Sequence, residues 1–215
     1  MSTAMIWGAS GGIGRALGAR LVAEGWTLIA ASRHPESLVD LTPHAIAADA
    51  SDDFQVRRAM LEASQICEAI DLWVYAAGDI GSAKAADMPP ADFQRILGAN
   101  LGGAWLAAHH ALPQLADDAH LVFLGAVSER MRLPGLTAYA AAKAGLEAMT
   151  ETLAKEVRGR RVTLVRPGAV ATTFWDKVPF RLPAEALTPD QVAEAILEAH
   201  RGGHKGRLDL SPASG

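Results

Sequence analysis

A chain of 215 residues, half of them apolar, can bury one substantial core and sits near the upper end of common single-domain lengths. Its formal net charge of -4 and the lack of any basic block argue against nucleic acid or a membrane surface as a partner. One cysteine, Cys67, rules out an intramolecular disulfide. With no leader-like start and no apolar run near the roughly 20 residues of a membrane helix, the expectation is a cytoplasmic protein.

Short apolar runs alternate with longer helical patterns, the sequence form of repeated βαβ units, and predict one α/β domain over residues 1–215 with a parallel sheet. Ala4 to Trp7 reads as the first strand. Ile13, Leu17 and Leu21 recur at helical spacing until Gly25, and Trp26 to Ala31 supplies the second strand. His44 to Ala48 reads as the third strand, Phe54 to Ile70 as a helix and Leu72 to Ala76 as a buried fourth strand. Pro89 to Leu112 reads as one long helix carrying three poor helix formers, Gly98, Gly102 and Gly103. Leu121 to Leu124 is the fifth strand, Thr137 to Val157 a helix, and Val162 to Val165 a sixth strand ending at Pro167-Gly168. Thr188-Pro189-Asp190-Gln191 combines an N-cap, a proline at the first helical position and a capping-box glutamine, so a last helix starts there and stops at Gly202-Gly203. Arg207 to Leu210 fits an edge strand. No internal repeat or linker-like tract interrupts this series.

The first strand runs into Gly8-Ala9-Ser10-Gly11-Gly12-Ile13-Gly14 and then directly into a helix. Glycines there let the backbone approach a pyrophosphate, and the helix N-terminus offers it unpaired N–H groups and the positive end of a dipole. A dinucleotide is the natural ligand. Tyr139 and Lys143 are four residues apart, so on a helix both side chains leave one face and converge. A phenol with a pKa near 10 is a poor acid-base catalyst at neutral pH, and a neighbouring ammonium is expected to lower it.

The G-x-x-x-G-x-G spacing, taken with Tyr139-Ala140-Ala141-Ala142-Lys143, resembles the short-chain dehydrogenase/reductase family in its compact form. The resemblance spans nearly the whole chain and continues in the family's order through Asp49, Ala77-Gly78, Asn100 and Pro167 to Thr172. It implies a Rossmann-type, doubly wound parallel sheet and an oxidoreductase moving hydride between a nicotinamide and a small carbonyl or alcohol. By the same resemblance Gly8, Ser10, Gly12, Ile13 and Gly14 hold the pyrophosphate region, Asp49 the adenine, and Ala77 with Gly78 the adenosine side. Pro167, Gly168, Val170 and Thr172 line the nicotinamide, while Tyr139, Lys143 and Asn100 form the catalytic set, Tyr139 and Lys143 also touching the cofactor. Self-association as a homodimer or homotetramer through helix faces is implied too, and the small residues Ala140, Ala141 and Ala144 permit close helix approach.

Three departures stand out. Trp7 replaces the family's threonine before the first glycine, and Tyr75-Ala76 replaces the Asn-Asn of the turn after the fourth strand, so aromatic packing is expected where the family has a polar link. Ala126 occupies the position of the family's catalytic serine, and the nearest hydroxyl is Ser128. Two readings therefore stay open: a working oxidoreductase, with Ser128 either substituting or standing aside, and a catalytically impaired dinucleotide-binding regulatory or scaffold protein. An extended-type epimerase or dehydratase is the weakest fit, because the chain has little room for a further substrate domain.

The second strand ends Ala31-Ser32-Arg33 without the acidic residue that an NAD enzyme presents to the ribose. A hydroxyl and a guanidinium at that place favour NADP(H) over NAD(H). The histidines give no metal spacing, since His109 and His110 point apart and Gly202-Gly203 separates His200 from His204, so no metal is expected. Thr173 to Leu187 is the segment that covers substrate in the family, and Trp175 within it is a candidate contact.

Overall fold

In the computed structural model, which describes residues 2–211, the apolar runs become strands because parallel strands are covered on both faces and leave no room for alternating polar residues. The elements run β1 (Thr3–Trp7), α1 (Gly12–Ala23), β2 (Thr27–Ser32), β3 (His44–Ala47), α2 (Asp53–Ser64) and β4 (Ile70–Tyr75). Then come α3 (Pro90–Leu97), α4 (Gly103–Ala111), β5 (Leu115–Leu124), α5 (Thr137–Glu156), β6 (Arg161–Pro167), α6 (Pro189–Arg201) and β7 (Gly206–Leu210). All strand pairings are parallel, in the order β3-β2-β1-β4-β5-β6-β7. This is the doubly wound α/β fold of Rossmann type.

Alternate residues of each strand feed two cores. Met5, Ile29, Trp73 and Phe123 face α2, α4 and α5, while Ile6, Leu28, Val74 and Val122 face α1 and α6. The expected capping box at Thr188 and Gln191 forms and starts α6. Cys67 is partly buried against the first core, and burial raises its thiol pKa.

Three boundaries differ from the sequence reading. The helix expected to reach Ile70 ends at Ser64, and Ile70 instead opens β4, pairing with Leu115. β5 begins at Leu115 rather than Leu121, because Asp117 and Asp118 are exposed and hide the strand's start from an apolar count. The long helix is interrupted by a π turn, Gly98–Gly102, between α3 and α4. Gly103 explains one of its glycines: a Cβ there would lie 2.5 Å from the Tyr75 hydroxyl and 2.9 Å from the Ala50 carbonyl oxygen.

Candidate active site

The site is assembled at the carboxyl edge of the sheet, where β1 and β4 lie side by side and the chain crosses from one half to the other. Gly8 leaves β1 with φ +82°, and a Cβ on it would sit 2.5 Å from the Ala77 amide nitrogen. Only glycine fits on both counts. α1 then begins after Gly11 with no side-chain cap and no acidic residue in its first turn. Its leading N–H groups and the positive dipole end are left for an anion. A bare backbone cradle beside an uncapped helix start suits the pyrophosphate of a dinucleotide.

A cleft of about 590 Å³ runs from this turn along the sheet edge. Every residue expected at the cofactor lines it: Gly8, Ser10, Gly12, Ile13 and Gly14 at the turn, then Ser32, Arg33, Asp49, Ala77 and Gly78, and finally Tyr139, Lys143, Pro167, Gly168, Val170 and Thr172. At the far end Ser10 and Ser32 share a hydroxyl–hydroxyl hydrogen bond of 2.7 Å, and the His34 amide donates to Ser32 at 3.0 Å. Arg33 beside them is exposed and has no ion-pair partner among the described residues. Asp49 accepts from the Ser51 amide and hydroxyl at 2.9 and 2.7 Å, which fixes its carboxylate at the cleft wall.

Tyr139 and Lys143 project from one face of α5 into the other end, and both are buried. The Lys143 ammonium lies 5.6 Å from the Tyr139 ring centroid and donates to the Leu124 carbonyl at 2.8 Å. No group among the described residues hydrogen-bonds the Tyr139 hydroxyl, which faces the cleft. The expected lowering of the phenol's pKa is not what the geometry gives. Burial pushes Tyr139 above the ordinary tyrosine value, and burial also pulls Lys143 down to about 8. Desolvation wins here over a cation that lies above the ring instead of at the oxygen.

Asn100 is placed differently from its expected partners. It sits in the π turn, fully buried, and is not among the cleft-lining residues. Its Nδ2 donates to the carbonyls of Asp79 at 2.6 Å and Ile96 at 2.8 Å, while its Oδ1 has no partner among the described residues. It ties the chain after β4 to the end of α3. Ala126 does line the cleft, and Ser128 opens a 3₁₀ turn (Ser128–Met131), but the Ser128 side chain lies outside the described part of the structure. Trp175 lines the cleft and also donates to the Val170 carbonyl at 2.9 Å.

The aromatic replacement at the strand ends is realised. Trp7 and Tyr75 are register partners in β1 and β4 and are buried, and the Tyr75 hydroxyl donates to Ala99 in the π turn at 2.8 Å. Sequence reasoning missed Asp79. Its buried carboxylate accepts from the Ile80 amide at 2.9 Å and from Lys177 at 2.7 Å, and it pairs with Arg95. An acid placed directly after Ala77-Gly78 and before an apolar residue is the signal that could have found it. Among the described residues no group of three His, Cys, Asp or Glu side chains is placed to hold a metal ion, and no helix is long and apolar enough to cross a membrane.

A parallel sheet of this order, with a glycine cradle at its switch point and a Tyr–Lys face across the cleft, defines a nicotinamide-dinucleotide oxidoreductase of the Rossmann class. The family model described as short chain dehydrogenase matches residues 2–180, and the chain belongs to that family. It is 31% identical over 182 residues to serine 3-dehydrogenase of Rhizobium radiobacter, covering 80% of this chain and 73% of that protein. It is 30% identical over 215 residues to 3-oxoacyl-[acyl-carrier-protein] reductase FabG of Thermotoga maritima, covering 90% and 87%. The crystal structure of an alcohol dehydrogenase from Thermococcus sibiricus, complexed with 5-hydroxy-NADP, superposes with a TM-score of 0.88 at 24% identity over 99% of this chain and 97% of that one. The protein is thus an NAD(P)-dependent oxidoreductase of the short-chain family.

Proposed function

We propose that this enzyme is a cytoplasmic, NADP(H)-dependent reductase or dehydrogenase of a small carbonyl or alcohol, with Tyr139 as its proton donor and acceptor. The observation that carries the reading is the placement of Tyr139 and Lys143 across one cleft from the Gly8–Gly14 cradle. When bound there, the dinucleotide supplies or accepts the hydride. The remaining work belongs to the chain. Held above its ordinary pKa by burial, the Tyr139 phenol is protonated at neutral pH and ready to give its proton to a substrate oxygen, which favours reduction. Lys143, anchored on the Leu124 carbonyl, fixes the face of α5 from which Tyr139 projects and presents its ammonium to the cofactor side. Asn100 acts one step removed, by holding Asp79 and Ile96 in place.

Ser32 and Arg33 support NADP(H) over NAD(H), because a hydroxyl and an unpaired guanidinium suit a ribose phosphate and no carboxylate stands there to repel it. Ala126 lacks the hydroxyl that would steady the substrate oxygen. Losing one such bond typically costs on the order of a hundredfold to a thousandfold in rate, so turnover is expected to be slow unless Ser128 compensates. A purely regulatory role rests on Ala126 alone.

The test is one set of measurements with a panel of carbonyl compounds. Tyr139→Phe is expected to abolish NADPH oxidation while leaving NADPH binding intact, and Arg33→Ala to weaken NADPH binding at least tenfold with little effect on NADH. Equal turnover by Tyr139→Phe and the natural protein would falsify the mechanism. No turnover by either, with NADPH still bound, would favour the regulatory role, and equal binding of NADH and NADPH would remove the cofactor preference.

A further inference from the structure

Resting on the oxidoreductase reading above, we propose that the substrate half of the cleft selects an uncharged, hydrocarbon-rich carbonyl compound and turns away carboxylates. The wall around Tyr139 is built from Ile80, Met131, Leu133, Leu136, Val178 and Phe180, all lining the cleft. Phe174 adds an aromatic face with its ring centroid 6.0 Å from that of Tyr139. These residues come from four separate places in the chain: the segment after β4, the turn after β5, the start of α5 and the covering segment 173–187. Five of them, with Ala126 and Phe174, pack around Tyr139 as one cluster. Leu133 is 45% exposed, so the apolar surface continues out to the lip. Ala126 extends the same character to the position where the family has a hydroxyl.

The charged side chains described deep in this end are engaged within the protein. Asp79 is the buried one, and its oxygens are taken by Ile80 N–H, Lys177 and Arg95. Arg95 is shared with Asp92 at 3.1 Å, so two anions meet two cations, and the Lys143 ammonium beside Tyr139 already donates to the Leu124 carbonyl. This cluster also pins the covering segment to the β4 side, through Lys177. Arg181 and Glu185 lie at the outer rim, both exposed and of opposite sign. Arg33, exposed and without an ion pair among the described residues, lies at the end of β2, at the other end of the cleft. A carboxylate entering the Tyr139 end meets a mainly apolar wall, and beyond the Tyr139 hydroxyl and the Lys143 ammonium held by Leu124 no described side chain there replaces its water, whereas a hydrocarbon group loses nothing it needs.

The test compares two ligands that differ in charge and share one activated ketone, methyl benzoylformate and benzoylformate, with the full chain saturated in NADPH. Two readouts are taken: kcat/KM from NADPH oxidation, and binding followed by quenching of tryptophan fluorescence, with Trp175→Phe identifying the cleft signal. The ester is expected to be preferred at least tenfold in both. Leu133→Lys, a change at a half-exposed lip that leaves the core untouched, is expected to narrow the gap severalfold by offering the acid a partner. Equal or better use of the acid by the natural protein overturns the proposal, as does a gap that Leu133→Lys leaves unchanged. If neither compound is reduced, binding decides alone: tighter binding of the ester upholds the ligand class while the redox reading fails. Equal binding of the two, or none at millimolar concentration, overturns it.

Discussion

At the scale of the residue, Lys143 shows what the site costs the fold. Its ammonium is buried, and one carbonyl, that of Leu124, receives it. The folded-state pKa of about 8 lies below the ordinary 10.5, so between those values the unfolded chain holds more protons than the folded one. Stability therefore rises with pH from about 8 to 10.5, and the full penalty applies below 8. At about 1.4 kcal/mol per pH unit the burden is roughly 3 kcal/mol, partly offset by the Leu124 hydrogen bond at about 1–1.5 kcal/mol. Lys143→Met is predicted to abolish turnover yet stabilise the cofactor-free protein by about 1–2 kcal/mol, and to flatten stability between pH 8 and 10.5. Urea titrations across that range check it, and a loss of stability at pH 7 would show that the lysine is well accommodated.

Elements carry a second electrostatic arrangement, at the end of the sheet opposite the cleft. His120 on β5, Thr163 on β6 and His200 on α6 join in a chain of hydrogen bonds: His120 Nδ1 to His200 Nδ1 at 3.3 Å and His120 Nε2 to Thr163 Oγ1 at 2.8 Å. Thr163 continues it to His204 at 3.1 Å. Neutral His120 and His200 satisfy the chain, one ring nitrogen donating where its neighbour accepts. Burial, with Arg161, His200 and His204 nearby, lowers His120 to about 3, and burial lowers His200 as well. The unfolded chain takes up these protons near pH 6.5 and the folded one does not. Stability is thus full above about 6.5 and falls as the pH drops toward 3, by about 1.4 kcal/mol per unit for His120 alone. His120→Gln is predicted to reduce that slope in chemical denaturation between pH 6 and 4. An unchanged slope would move the acid sensitivity elsewhere.

For the whole molecule, the sheet order places the β1 and β4 turns side by side, and the cleft follows from that adjacency. A second surface feature lies where α4 and α5 leave Trp105 53% exposed, stacked on His109 at 5.1 Å. Ala141 and Ala144 on α5 are exposed beside this region, and Met149 and Leu112 line a groove with Trp105. An aromatic side chain next to small residues suits a second helix pair. Sedimentation at micromolar concentration is predicted to show a homodimer or homotetramer that Trp105→Glu dissociates. A monomeric natural protein would count against self-association by this face.

The sequence by itself determined the order and type of the elements, the glycine-rich turn, the Tyr139–Lys143 face and a set of positions that line one cleft. All of these are written in local signals: apolar runs, turn glycines, caps and i, i+4 spacing. Tertiary structure alone decided the rest. Asn100 stands behind the cleft wall because a π turn, which no local pattern announced, directs its amide to two backbone carbonyls. The lower end of β5 formed despite Asp117 and Asp118 because pairing with Ile70 supplied what apolar composition did not. The Tyr139 pKa is pushed up because desolvation depends on what the whole chain packs around a phenol, and four residues of spacing to a lysine hold no record of that. Asp79 could gather Lys177 and Arg95 only once folding had brought together residues up to 98 positions apart in sequence.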